Sequence, residues 1–163
     1  MSYSDSNAKI TTKTHREVQL MLTANQVLNS RDNKRIWSVT SADVVFDAIK
    51  EMDKHGVGAL LVMDGEHLAG IISERDYTRN IALKNKSSHS TKVSDIMTSN
   101  VFTVQKEESI DNCMRYMHER GFRHLPIMDG EKVIGLLSIK DTLGIMLSEK
   151  EELINQLQHY ISN

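Results

Sequence analysis

The sequence repeats itself at a distance of 65 residues, and this repeat constrains the fold more than any other feature. Gly56–Asp76 aligns without a gap on Gly121–Asp141, and Met63–Glu66 has the same four residues as Met128–Glu131. Repeated units of this size commonly pack together to build one shared core. The repeat therefore predicts two pseudo-symmetric halves that need each other.

Each copy predicts the order strand, helix, strand, strand, helix. The helix of the first copy has an apolar stripe at i, i+3, i+4 and i+7, formed by Val45, Ala48, Ile49 and Met52. The second copy keeps that stripe as Ile110, Cys113, Met114 and Met117, and Gly56 and Gly121 suit left-handed caps at the two helix ends. The other predicted elements are strands at Ile36–Val39, Ala59–Met63, Leu68–Ile72 and Val101–Val104, a helix start with a capping box at Thr40–Asp43, and a helix from Ser73 to about Leu83.

The predicted fold class is α/β (α+β), with two pseudo-symmetric β-α-β-β-α repeats packed sheet to sheet and flanked by terminal helices. The expected boundaries are an N-terminal arm and helix at 1–31, repeat one at 32–84, a polar linker at 85–92, repeat two at 93–147 and a C-terminal helix at 148–163. A chain of 163 residues is long enough to bury such a core.

The composition argues against a general nucleic-acid or membrane surface. The formal net charge is -2, with 39% apolar and 26% charged residues, and no apolar run approaches the length of a membrane span. The single cysteine, Cys113, cannot form a disulfide within the chain, which is typical of a reducing compartment. We expect a cytoplasmic protein.

Two copies of a Ser-x-x-Asp motif carry the chemistry that the sequence offers. Ser73 and Asp76, and likewise Ser138 and Asp141, follow an apolar strand and begin a helix. A helix N-terminus attracts phosphate through its free N–H groups and dipole, and an Asp beside it can accept ribose hydroxyls. The same spacing is also an ordinary helix cap, so both interpretations stay open at this point.

The wider pattern resembles a tandem pair of CBS domains, the family named after cystathionine β-synthase, whose pairs are called Bateman modules. The resemblance rests on Gly56–Gly65, on Gly70–Asp76 with its echo at Gly135–Asp141, and on Arg123–Asp129, and it covers about residues 32 to 147. It implies two clefts between the halves, each able to bind an adenosine-containing ligand such as AMP, ADP, ATP, NAD or S-adenosylmethionine.

The resemblance also implies which residues would form each cleft. In the first, Ser138 and Asp141 would hold phosphate and ribose, Arg123 and His124 would reach the phosphates, and the adenine would be lined by Arg35, Trp37, Val57 and Gly58. In the second, the corresponding residues would be Ser73, Arg75, Asp76, Asn100, Phe102, Phe122 and Arg123. Lys140 takes the place that Arg75 has in repeat one.

The halves differ at the basic pair. Repeat one has Gly58-Ala59 where repeat two has Arg123-His124, so we expect a tighter site at Ser138 and Asp141 and a second site that depends on Arg75 for charge. Trp37 could stack on the base or pack in the core, and the residues allow both. Cys113 lies on the apolar stripe, where a buried small side chain is more plausible than a nucleophile, and the histidines lack metal-ligand spacing.

The predicted function is that of a stand-alone regulatory module without catalytic activity, which senses nucleotides and signals to an effector protein. The resemblance implies homodimers, and AMP or a related adenine nucleotide is the expected ligand, with NAD as a further possibility. The alternative is a structural or partner-binding adaptor whose motifs serve only as helix caps. A nucleic-acid-binding regulator, suggested by Arg31, Lys34 and Arg35 beside Trp37, is a weaker alternative.

Overall fold

The structure is a computed structural model, and it describes residues 22–31 and 35–161. Within these residues the predicted order of elements is present in both repeats. Repeat one contains β1 (Ser38–Val39), α2 (Val45–His55), β2 (Ala59–Asp64), β3 (His67–Ser73) and α3 (Glu74–Tyr77), and repeat two contains β4 (Val104–Gln105), α4 (Ile110–Arg120), β5 (His124–Asp129), β6 (Lys132–Ser138) and α5 (Ile139–Ile161). A short helix, α1 (Ala24–Asn29), precedes repeat one. The mixed α/β class is thus confirmed.

Each repeat forms its own three-stranded sheet, in the strand orders β1-β2-β3 and β4-β5-β6. The first strand of each sheet is parallel to the second, and the second pairs antiparallel with the third. A two-residue turn, Gly65-Glu66, joins β2 to β3, and the residues on either side of it, Asp64 and His67, pair with each other. Gly65 has a φ of 66°. The parallel pairing places a helix, α2 or α4, between the first two strands, as a parallel connection requires.

The predicted apolar stripes form the two cores. Val45, Ala48 and Met52 are buried in repeat one, and Ile110, Cys113 and Met117 are buried at the corresponding places in repeat two. Both helices end at glycines in the left-handed conformation, Gly56 at φ 63° and Gly121 at φ 72°. The helix faces and the caps inferred from the sequence are confirmed.

The predicted helix start at Thr40–Asp43 is wrong. The Asp43 carboxylate does accept from the Thr40 N–H at 2.8 Å, but it closes a turn, and α2 begins at Val45. The first helical N–H groups find other acceptors, because Val45 N donates to the Thr91 carbonyl and Phe46 N to the Ser88 carbonyl, at 2.9 and 3.0 Å. The linker between the repeats thus caps α2 in place of a side chain.

Other element bounds also differ from the predictions. β1 and β4 have two residues each, so Ile36, Trp37 and 101–103 lie outside the strands. The helix that follows β3 changes to π geometry at Thr78–Ala82, and α5 runs without interruption from the second motif into the C-terminal segment. Among the residues outside the strands, Ile36, Trp37, Val101 and Phe102 line the clefts described below.

Two glycines allow the connecting segments to approach the sheets closely. A Cβ at Gly135 on β6 would lie 2.6 Å from a Leu28 methyl carbon of α1, and a Cβ at Gly70 on β3 would lie 2.8 Å from both the Met97 sulfur and the Thr98 carbonyl oxygen. Thr98 and Ile71 exchange backbone hydrogen bonds at 2.9 and 3.0 Å. α1 therefore covers β6 much as the segment 96–98 covers β3.

Candidate functional site

Two concave sites lie where the repeats meet, and we call them cleft one and cleft two. Cleft one has a volume of about 920 Å³ and is lined by residues of α1, the segment 35–37, the end of α2, and the junction of β6 and α5. Cleft two has a volume of about 440 Å³ and is lined by the junction of β3 and α3, the segment 100–102 and the end of α4. Both volumes are in the range of small-molecule sites.

One wall of cleft one is an aromatic pair. The rings of Trp37 and His55 are stacked with centroids 3.4 Å apart and planes 9° from parallel, and the Arg35 guanidinium carbon lies 5.9 Å from the Trp37 centroid. The His55 Nε2 is 3.0 Å from a carboxylate oxygen of Glu51 on the previous helical turn. The stack fixes the indole plane at the edge of the cleft, where a planar base could pack on it.

The opposite wall carries the second Ser-x-x-Asp motif. The Asp141 Oδ2 accepts from the Ser138 N–H at 2.9 Å and also from the Ser138 hydroxyl, while the Asp141 N–H donates to that hydroxyl oxygen at 3.3 Å. Arg31 forms an ion pair with the same carboxylate oxygen at 2.7 Å. The motif is therefore a working helix cap, and its carboxylate also faces the cleft.

Cleft two repeats this arrangement with different side chains. The Arg120 guanidinium lies 4.1 Å from the centroid of the Phe102 ring. Under the 65-residue shift, Phe102 corresponds to Trp37 and Arg120 corresponds to His55. The Ser73 N–H and hydroxyl donate to Asp76 Oδ2 at 2.9 and 2.6 Å. Four arginines contribute to the lining, namely Arg75, Arg79, Arg120 and Arg123. Such a lining favours an anionic ligand.

Gly58, Arg123 and His124 line both clefts, so the two sites share one wall. Gly58 leaves room there: a Cβ at this position would lie 3.4 Å from a Glu74 carboxylate oxygen and 3.9 Å from the His124 ring. Burial lowers the pKa of His124, Arg123 and Arg75 lower it further, and Asp141 and Asp76 act in the opposite direction. Carboxylates of both clefts thus act on one imidazole.

The structure brings together every residue that the sequence assigned to each cleft. Cleft one contains Arg35, Trp37, Val57, Gly58, Arg123, His124, Ser138, Lys140 and Asp141. Cleft two contains Ser73, Arg75, Asp76, Asn100, Phe102, Phe122 and Arg123.

Sequence reasoning missed several lining residues. His55 and Arg120 occupy equivalent positions just before the two cap glycines. The 65-residue shift therefore identifies either residue once the other has been assigned to its cleft. Arg79 lies one helical turn beyond Arg75, in the segment with π geometry. Arg31 has no counterpart under the shift, because residue 96 is a buried isoleucine. Its place in cleft one became visible only in the folded chain.

The other reactive side chains stay outside this arrangement. Cys113 is fully buried, and burial raises the pKa of its thiol to about 12, which fits the predicted role of a small core residue. Within residues 22–31 and 35–161, no cluster of three or more His, Cys, Asp or Glu side chains has the geometry to hold a metal ion. None of the helices in these ranges is long and apolar enough to span a membrane.

Comparison with known families gives one match, to the model of the CBS domain, at residues 32–83 and again at residues 93–148. Among curated proteins, the chain is 40% identical over 137 residues to the Arabidopsis thaliana "CBS domain-containing protein CBSX3, mitochondrial". That alignment covers 81% of this chain and 66% of the plant protein, and an alignment with an uncharacterised 33.4 kDa protein of Thermofilum pendens covers only 34% of the latter. This chain thus spans less than two thirds of the length of either relative.

Solved structures show the same fold. A protein with CBS domains from Burkholderia ambifaria MC40-6 superposes with a TM-score of 0.76 at 45% identity, over 78% of this chain and 95% of that one. The CBS domain pair of protein MJ0100, solved in complex with 5′-methylthioadenosine and S-adenosyl-L-methionine, superposes with a TM-score of 0.69 at 23% identity, over 79% and 98%. At that lower identity the likeness concerns the fold alone.

Proposed function

The chain belongs to the CBS-domain family, and from this premise we propose that it is a regulatory module that binds adenosine-containing nucleotides in clefts one and two. AMP, ADP, ATP and NAD are the candidate ligands. The protein changes its conformation or its assembly when they bind, and it has no catalytic activity of its own. Binding can shift such an equilibrium only if the ligand has different affinities for the two forms.

The observation that carries this proposal is the arrangement of cleft one. A stacked aromatic surface at Trp37 faces a carboxylate at Asp141, and Arg123 and His124 line the same cavity. A nucleotide has the matching parts, namely a planar base, a ribose with two hydroxyl donors and an anionic phosphate. Arginine is well suited to phosphate because its forked donors match the phosphate oxygens. The adenosine ligands in the MJ0100 complex add support at the level of the fold.

A thermal-shift panel with AMP, ADP, ATP, NAD and S-adenosylmethionine tests the proposal. A ligand at 100 times its dissociation constant stabilises the folded protein by about 2.7 kcal/mol, which corresponds to roughly 5 to 10 °C for a chain of this size. Asp141→Asn should reduce the shift that arises from cleft one, and Asp76→Asn should reduce the shift that arises from cleft two.

Asp95→Asn is the matched control. Asp95 accepts from the Lys92 N–H at 3.0 Å in a comparable cap and lines neither cleft. It should lower the melting temperature slightly and leave the ligand-induced shift intact. If all three variants reduce the shift equally, the effect comes from weakened caps, and the carboxylates of the clefts are not the binding groups.

A second candidate function is a partner-binding adaptor with empty clefts. The specific observation in its favour is that both Ser-x-x-Asp motifs already serve as caps, with each Asp bonded to its own Ser. This alternative predicts that Asp141→Asn costs about 1 kcal/mol of stability and that no nucleotide changes the melting temperature of the wild type. Such a result would replace the nucleotide-sensor proposal.

We further propose a homodimer as the signalling unit, acting on an effector protein in a reducing compartment such as the cytoplasm. The support is an exposed apolar stripe on α5, where Leu143, Leu147, Ile154 and Leu157 are 48 to 63% exposed. Apolar side chains grouped on one surface favour association. Light scattering with and without nucleotide tests the dimer, and a monomer under both conditions refutes it. The Arabidopsis relative is named as a mitochondrial protein, so the compartment of this protein has to be determined separately, by imaging of the tagged chain.

A further inference from the structure

Arg31 lies in the lead-in segment of repeat one, which is the stretch between Leu28 and Trp37. The lead-in segment of repeat two, between Met97 and Phe102, is shorter. Leu28 and Met97 are equivalent, because each packs against the equivalent glycine of its sheet, and Trp37 and Phe102 are equivalent under the 65-residue shift. Eight residues, 29–36, separate the first pair along the chain, whereas four residues, 98–101, separate the second. Repeat one therefore has four additional residues here.

The backbone contacts confirm this alignment of the two lead-in segments. The Ile110 N–H donates to the Leu22 carbonyl at 2.8 Å, just as the Val45 N–H donates to the Thr91 carbonyl at 2.9 Å. Each bond joins the first residue of one repeat's helix, α4 or α2, to a residue that precedes the lead-in segment of the other repeat. The additional residues thus fall between α1 and Trp37 in the sequence.

The Arg31 side chain takes the place of a backbone hydrogen bond that the lead-in segment of repeat two makes to a strand. In the segment that leads into repeat two, the Thr98 N–H donates to the Ile71 carbonyl on β3 of repeat one at 2.9 Å. The carbonyl equivalent to that of Ile71 under the 65-residue shift belongs to Leu136 on β6 of repeat two, and it accepts from Arg31 Nη1, also at 2.9 Å. The guanidinium is thereby anchored on β6 with its second nitrogen free to reach further.

That second nitrogen, Nη2, donates to Asp141 Oδ2 at 2.7 Å. Oδ2 then has three donors, namely the Ser138 N–H, the Ser138 hydroxyl and Arg31. Among the described residues none donates to Asp141 Oδ1. In cleft two, Asp76 Oδ2 has two donors, both from Ser73, and no described Lys or Arg lies within ion-pair distance of it. The two carboxylates are therefore held differently.

We infer that Arg31 is a positioning residue that fixes the Asp141 carboxylate so that Oδ1 accepts the ribose hydroxyls of the ligand in cleft one. This inference rests on the proposed function, and it deepens that function by assigning ribose selectivity to cleft one. A carboxylate held by three donors keeps its orientation before the ligand arrives, so little ordering remains to be done on binding. In cleft two no described arginine is paired with Asp76, so this cleft discriminates ribose from 2′-deoxyribose less sharply.

The experiment compares AMP with 2′-deoxyAMP in the wild type, Arg31→Gln and Arg35→Gln. Trp37 is the single tryptophan, and it lines cleft one but not cleft two, so its fluorescence reports binding to cleft one. Arg35→Gln is the matched control, because it removes an equal charge from the same cleft without touching Asp141. Circular dichroism and urea unfolding verify that each variant folds.

Arg31→Gln should reduce the preference for AMP over 2′-deoxyAMP by about tenfold, since a hydrogen bond to a charged group has an effect of that order. Arg35→Gln should weaken both ligands to the same extent. In an Asp141→Asn background, Arg31→Gln should leave the preference unchanged, because the two residues act through one interaction.

An Arg31→Gln variant that weakens both ligands equally overturns the inference and makes Arg31 a general phosphate attractor. An unchanged preference with unchanged affinities overturns it as well. Absence of binding in the wild type would instead refute the proposed function itself, and the inference with it. If Arg31→Gln does not fold, Arg31→Lys, which keeps the charge but loses the two-nitrogen geometry, serves as the test variant.

Discussion

The two sheet glycines, Gly70 and Gly135, should respond very differently to the same substitution. At Gly135, the three atoms nearest to an added Cβ all belong to the Leu28 side chain, and a shift of that side chain can relieve the clash. Moving a side chain off its rotamer costs about 0.5 to 1.5 kcal/mol, while Gly→Ala returns about 0.4 to 1 kcal/mol by restricting the unfolded chain. We therefore expect Gly135→Ala to lower the free energy of unfolding by about 1 kcal/mol or less.

At Gly70, the added Cβ would lie 2.8 Å from the Thr98 carbonyl oxygen, which is backbone. That oxygen accepts from the Ile71 N–H at 3.0 Å, so relief requires movement of the paired segment. Overpacking costs about 1 to 3 kcal/mol, and the two Thr98–Ile71 hydrogen bonds contribute about 0.5 to 1.5 kcal/mol each. After subtraction of the unfolded-state gain, Gly70→Ala should cost roughly 2 to 4 kcal/mol.

Urea unfolding, followed by Trp37 fluorescence and by far-UV circular dichroism, measures both variants. With an m-value of about 2 kcal/mol/M, the midpoint of Gly70→Ala should fall at least roughly 1 M below that of the wild type, and that of Gly135→Ala by less than about 0.5 M. Equal losses in the two variants, or a larger loss at Gly135, would refute the reasoning that rigid backbone contact decides the cost.

Two further predictions follow from titratable groups. The Cys113 thiol, buried and with its pKa raised to about 12, should react with a disulfide reagent only as fast as the fold opens, and labelling at the rate of a free thiol in the native protein would contradict its burial. His124 has a lowered pKa in the folded state, so the unfolded chain binds more protons between that pKa and about 6.5, and stability should rise with pH through this window and level off above it. In His124→Gln, the urea midpoint should rise less steeply with pH between about pH 5 and 7 than in the wild type. An unchanged slope would assign the pH dependence to other histidines.

Much of the fold follows from residues that repeat. The stripe at Val45, Ala48 and Met52, the cap glycines and the strand that begins at Ala59 were predicted because helical and strand periodicity depends on local sequence. The assembly of the two clefts was predicted as well, since the family resemblance assigns positions and the shift transfers them from one repeat to the other.

The failures occur where tertiary contacts override a local pattern. Thr40–Asp43 has the spacing of a capping box, yet carbonyls from the linker, distant in sequence, cap the helix and leave those four residues in a turn. Trp37 was predicted to lie in a strand, but pairing with β2 is limited to Ser38 and Val39. The place of Arg31 in cleft one was missed because this segment contains four additional residues that the 65-residue shift cannot align.

The wall that the clefts share, with Arg123 and His124 on it, has a consequence for how the protein would respond to a rising ligand concentration. If anions bind in both clefts as proposed, the first would partly neutralise Arg123, and the second would meet both a weaker attraction and the repulsion of the first. Such negative coupling is reciprocal and would lower the apparent affinity of the second site relative to the first. The total occupancy would then increase over a wider range of ligand concentration than two independent identical sites give, so the response would be graded and not switch-like.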